Sequence, residues 1–91
     1  MVYTIHNLRE GNRDGSWIRY WEDATGLKVT YCHKVGCLAP AEDGAHVQLS
    51  NSNNRKWYIV PLCHKCNCQF GMEFDVTGPL VSATDPTDIL W

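Results

Sequence analysis

Tyr58-Ile59-Val60-Pro61-Leu62-Cys63-His64-Lys65-Cys66-Asn67 decides how this 91-residue chain is read. An apolar run beginning at Trp57 reads as a strand, and Pro61, which cannot donate a ladder hydrogen bond, is expected to end it. Two thiols follow with two residues between them, and residues 63–70 read as a short helix stopped at Gly71. Upstream, Cys32-His33-Lys34-Val35-Gly36-Cys37 holds a second pair with four residues between its thiols, and 25 residues separate the pairs. Paired thiols on short loops approach one ion at about 2.3 Å, so the spacing predicts structural zinc held by Cys32, Cys37, Cys63 and Cys66. Gly36 can supply the positive φ such a turn needs, and the start of a helix favours thiolate at Cys63. Two disulfides or buried free thiols are the alternatives.

The remaining candidates near the pairs are weaker donors. Cys68 lies two residues past Cys66, so on a helix it points away from the ligand positions and reads as a packed or exposed free thiol. His33 and His64 sit inside the two knuckles and stand as substitute ligands.

Composition sets the frame around this centre. Ninety-one residues make a single domain, 1–91, of 44% hydrophobic and 20% charged residues, which excludes a disordered chain. A domain this short often needs a staple, and five cysteines offer one. The odd count, and an N-terminus without the basic start and apolar core of a secretory signal, point to a reducing, cytoplasmic setting. No apolar run reaches the roughly 18 residues of a membrane span, so no membrane partner is expected. The net charge is −2, distributed as −1 over residues 1–27, +3 over 28–65 and −4 over 66–91. A four-thiolate zinc centre contributes about −2 itself, so the middle segment is no strong nucleic-acid footprint.

Outward from the cysteines, residues 45–49 and 57–60 read as a hairpin joined by the Asn-rich loop 50–56. Residues 1–31 read as an N-terminal β-hairpin region: residues 9–16 are turn chemistry, residues 17–21 and 27–31 are strands, and residues 22–26 form the loop between them. Residues 72–91 read as an extended tail laid across the core by Leu80, Val81, Ile89, Leu90 and Trp91. Trp17 and Trp57 are the expected core anchors. The fold class is therefore small α+β.

Residues 32–70, 39 of the 91, resemble the treble-clef, ββα-metal core of the HNH endonuclease superfamily. The likeness rests on Cys32 and Cys37, on Gly44-Ala45-His46-Val47, and on the stretch quoted first. It implies a zinc-binding core over residues 32–71, with a histidine base acting on water against a phosphodiester and a divalent ion, such as Mg2+, held near it. Carried over by position, His46 is the candidate general base and Asn67 the candidate metal or phosphate residue on the helix. Ala45 stands where an Asp or His ligand is usual, and Tyr58 where an Asn is common. Asp43 lies two residues before Ala45 and would need an irregular backbone to reach the same spot. The resemblance therefore implies a nuclease with weak or lost activity and DNA as a partner.

Each of these residues also has a plainer reading. His46 between Ala45 and Val47 fits a hydrogen-bonded core histidine, and Asn67 fits a residue orienting a thiolate. Arg55 and Lys56 fit phosphate contacts or a solvated loop. The aromatic residues fit base stacking or the core. Three functions stay open: an HNH-type nuclease, a non-catalytic nucleic-acid module, and a structural zinc module with a protein partner.

Overall fold

The chain runs β1 (Val2–Asn7), α1 (Ser16–Thr25), β2 (Asp43–Leu49), β3 (Tyr58–Leu62), α2 (His64–Asn67), β4 (Glu73–Thr77), β5 (Leu80–Ser82) and β6 (Ile89–Leu90). This is a computed structural model that describes residues 1–8 and 16–91; the turn expected over residues 9–15 lies outside the described residues. The strands form one sheet in the order β4-β1-β2-β3-β5-β6, with every neighbouring pair antiparallel. The described residues form a small α+β domain built on an antiparallel sheet with two helices. No helix among the described residues is long and apolar enough to cross a membrane.

Side chains alternate across the sheet with period two, which separates two cores. Ala45 and Val47 of β2, Tyr58, Val60 and Leu62 of β3, Ile5 and Val76 pack with Cys32, Cys63 and Cys66. Ile59 and Val81 turn the other way and pack with Trp21 and Trp17 of α1. The β2–β3 hairpin matches expectation, pairing Asp43 with Leu62 through to Val47 with Tyr58. Pro61 does not end β3. It lies within the strand opposite Gly44, beyond the point where β5 pairs at Tyr58 and Ile59, so its missing N–H leaves no gap in that ladder.

Three further expectations are corrected. The N-terminal β-hairpin is absent: residues 17–21 lie in α1, and residues 27–31 form no strand beyond an isolated bridge from Tyr31 to Pro40. Trp17, Tyr20, Trp21 and Ala24 recur at helical spacing and face one core, an advantage that outweighs the strand preference of Trp, Ile and Tyr. Gly26, at φ 73°, follows the helix and returns its N–H to the Glu22 carbonyl. The extended tail is likewise replaced by β4, β5 and β6, which supply both flanks of the sheet. Trp21, rather than Trp57, is the central anchor. It is 1% exposed and donates its indole N–H to the Pro79 carbonyl at 2.8 Å, whereas Trp57 is 39% exposed.

The sheet also curls. β4 and β5 are four strand spacings apart in the ladder, about 19 Å if flat. Yet Gly78 and Pro79 alone connect them, a reach of about 11 Å from Thr77 to Leu80 at full extension. The first knuckle bridges the resulting gap: the His33 amide donates to Pro61, and the Thr77 amide donates to the His33 carbonyl.

Candidate metal centre

That bridge sets where the first two thiols lie. Cys32 donates its amide to Ala39, and Cys37 donates its amide to Lys34 across a turn in which Gly36 takes φ 85°. The second two thiols come from the start of α2. Cys63 is extended there and caps the helix, its sulfur accepting the Cys66 amide at 3.5 Å.

The four sulfurs lie within 4.8 Å of one another and can hold a metal ion. Cys37 Sγ is 3.9 Å from both Cys63 and Cys66. A tetrahedral ion with bonds of about 2.3 Å separates its sulfurs by about 3.8 Å, so the spacing fits. It does not fit disulfides, whose sulfurs are about 2.05 Å apart, and all five cysteines are free. Cys32, Cys63 and Cys66 are buried and Cys37 half-buried. Burial pushes the Cys66 thiol far up from its ordinary value, and neighbouring thiols push the same way. Burial also raises Cys32, while the Ala39 amide lowers Cys37. Four thiols facing one point in this way call for a cation, which favours their deprotonated form. Above Cys37 opens a groove of about 600 Å³, with Lys34 and Lys65 among its walls.

His33 and His64 turn away from the cluster. His33 Nδ1 lies 2.9 Å from the Thr77 carbonyl, and His64 Nδ1 lies 3.1 Å from Asp43 Oδ2. Cys68 is exposed, with its sulfur 3.3 Å and 3.6 Å from the two nitrogens of His64. A bond in the ring plane to one nitrogen would leave the other roughly 5 Å away, so this sulfur lies over the ring face. The contact is packing, not an aligned thiol–imidazole hydrogen bond.

His46 and Asn67 are not brought together. Asn67 is buried on the cysteine face, donating its side-chain amide to Asp43 Oδ2 at 3.0 Å. His46 is buried at 6% exposure on the opposite face, edge-on to Trp17 at 4.8 Å and to Trp57 at 5.9 Å. Asp43 reaches Asn67 from a regular strand, because residues 43 and 45 share a face; no irregular backbone is needed. Sequence reasoning set Asp43 aside and missed Asn7 at this centre. Asn7 donates its side-chain amide to the carbonyls of Asn67 and Gln69. Period-two counting from Ala45 carried the signal for Asp43; nothing local carried one for Asn7. In the Asn-rich loop, Lys56 pairs with Asp88 at 2.8 Å, and the Arg55 carbonyl accepts from Gln48. Comparison with protein-family models, with curated proteins and with solved structures gives no match.

Proposed function

We propose that this chain is a zinc-stabilised domain of HNH-like type that binds a partner and does not cut nucleic acid. Four soft thiolates at tetrahedral spacing suit zinc, and a four-coordinate thiolate centre leaves no position for substrate or water, so the ion is structural. The observation that carries the non-catalytic reading is the placement of His46 and Asn67 on opposite faces of β2. A general base and a metal-holding residue must act on one phosphate, and here a sheet stands between them. Ala45 offers no ligand. Asp43 does bring a carboxylate to Asn67, but the base assigned by the resemblance is across the sheet.

Plasmid and single-stranded DNA incubated with the protein in magnesium or manganese test this, with His46→Ala in parallel. We expect no cleavage by either protein. Robust metal-dependent cleavage that disappears in His46→Ala would restore the enzyme.

A protein partner has more support than DNA. Lys56 is paired with Asp88, and a four-thiolate zinc centre would itself add about −2, leaving little net positive charge in the middle segment. Beside the first knuckle, Tyr31 and Leu38 are 61% and 82% exposed. Large exposed apolar side chains suit a protein surface. Salt-sensitive binding to DNA in a mobility-shift assay at low ionic strength would reverse that order.

A further inference from the structure

The two residues that follow the cysteines of the second knuckle share one anchor. His64, next to Cys63, places Nδ1 3.1 Å from Asp43 Oδ2. Asn67, next to Cys66, donates to that same oxygen at 3.0 Å. Asp43 is 4% exposed and opens β2 on the face that Ala45 presses against the cysteines. We propose that Asp43 is the positioning residue of the metal centre, fixing the Cys63 and Cys66 thiolates through His64 and Asn67. The proposal rests on the metal reading above.

A helix of four residues cannot hold its own orientation, since isolated helices shorter than about 12–15 residues are marginal in water. Its local support amounts to the Asn67 amide on Cys63, the Cys68 amide on His64, the Gln69 amide on Cys66, and the long Cys66 amide contact to the Cys63 sulfur. A rotation of α2 about its axis would carry Cys66 Sγ out of the tetrahedron. Two bonds to one buried oxygen, from residues three apart in the helix, block that rotation. The same oxygen holds His64, a nitrogen donor inside the Cys-x-x-Cys turn, away from the ion. Bonds to a carboxylate are about twice as strong as neutral ones, which suits an acid at this position. Partners of this kind, one bond removed from the ligands, typically change metal affinity by about 10–100-fold when mutated.

The zinc-loaded protein is compared with Asp43→Leu, Asp43→Asn and, as a stability control from the opposite face, Val81→Ala. Zinc affinity is measured by competition with EDTA. Replacement by Co2+ reads the number of thiolate ligands and the tetrahedral geometry through its visible and charge-transfer bands. We expect Asp43→Leu to lose about 10–100-fold in zinc affinity and to shift the Co2+ bands. Asp43→Asn, with neutral bonds in place of charged ones, loses several-fold. Val81→Ala lowers the denaturant midpoint and leaves the Co2+ spectrum unchanged. An unchanged spectrum in Asp43→Leu, with an affinity loss no greater than that of Val81→Ala, overturns the proposal. Should Asp43→Leu not fold, Asp43→Asn decides alone: affinity and spectrum equal to wild type overturn it. A wild-type protein that binds no metal instead refutes the metal reading beneath it.

Discussion

The two faces of the sheet solve one problem by different means. On one face, Ala45, Val47, Val60 and Leu62 meet cysteines from both knuckles, and a network from Asn7 through Asn67 and Asp43 to His64 fills the polar gaps. On the other, Trp17, Tyr20 and Trp21 of α1 cover Ile59 and Val81 with large rings. The first face carries the larger apolar cluster, but the two knuckle loops that close it converge four thiols on one point, where an ion would tie them to the sheet. The second face needs no ion, because a buried aromatic ring removes about 150–250 Å² from water. The difference assigns each face its own weak point.

Removing the metal should have the largest effect, since binding free energy at such centres is on the order of 10 kcal/mol and is largely folding free energy. Chelation, or Cys→Ser at Cys32, Cys37, Cys63 or Cys66, should abolish the cooperative unfolding transition seen by circular dichroism. Acid should act on the same face. The Cys66 thiol, pushed up by burial, must lose its proton to bind the ion, so zinc affinity rises with pH and falls as pH drops. Competition with a chelator between pH 8 and pH 6 reads that slope; a flat or inverted profile would contradict thiolate ligation.

Trp21→Ala, on the face without the ion, should cost about 3–5 kcal/mol, yet still bind one zinc per chain. Loss of zinc at a concentration where the variant remains folded would show that the two faces are not independent. Gly44→Ala is a smaller intrusion at the seam between β2 and α1. Its Cβ would stand 2.6 Å from Trp17 Cβ and 2.8 Å from the Trp17 carbonyl carbon, and backbone cannot step aside as a side chain can. Overpacking of this kind costs about 1–3 kcal/mol, readable as a lowered denaturant midpoint.

The cysteine spacing was legible because metal chemistry acts through loops of two and four residues, a range that local sequence reports directly. The β2–β3 hairpin was legible for the same reason. α1 was misread because Trp17, Ile18 and Tyr20 favour strands individually, while their helical spacing pays off only against a core that other segments build. Strand β4 carried a local mark in the polar–apolar alternation of Glu73-Phe74-Asp75-Val76-Thr77, but not its place in the sheet. It pairs Val2 with Thr77 and His6 with Glu73, so its partner lies at the far end of the chain. The site divides in the same way: the four clustered cysteines could be read from spacing, whereas the Asp43–Asn67 contact and the separation of His46 from Asn67 depend on which way a strand turns its side chains.

The mildest changes lie outside both cores. Cys68→Ser should alter stability by less than about 0.5 kcal/mol and leave zinc stoichiometry intact, because its sulfur is exposed and stands outside the cluster. Asp85 accepts from the hydroxyl and amide of Thr87, and these bonds hold its carboxyl below the usual carboxylate value. Its contribution is therefore present above the unfolded-state value of about 3.9 and lost as pH falls through the depressed one. Asp85→Asn and wild type should differ slightly at neutral pH and converge in acid unfolding curves. A gap that widens toward low pH would contradict the sign.

Gly78 has a consequence for how the domain can be joined to other chains. Its amide donates to the Met1 carbonyl at 3.1 Å, and a Cβ on it would run into the Trp91 carbonyl oxygen. Residues 1 and 91 thus meet at one spot on the rim of the sheet. Chains whose two ends lie close together tolerate insertion into a host loop and circular permutation. A short Gly-Ser linker from Trp91 to Met1, with new ends opened in the exposed 51–53 turn, should therefore yield a permutant that still binds its ion.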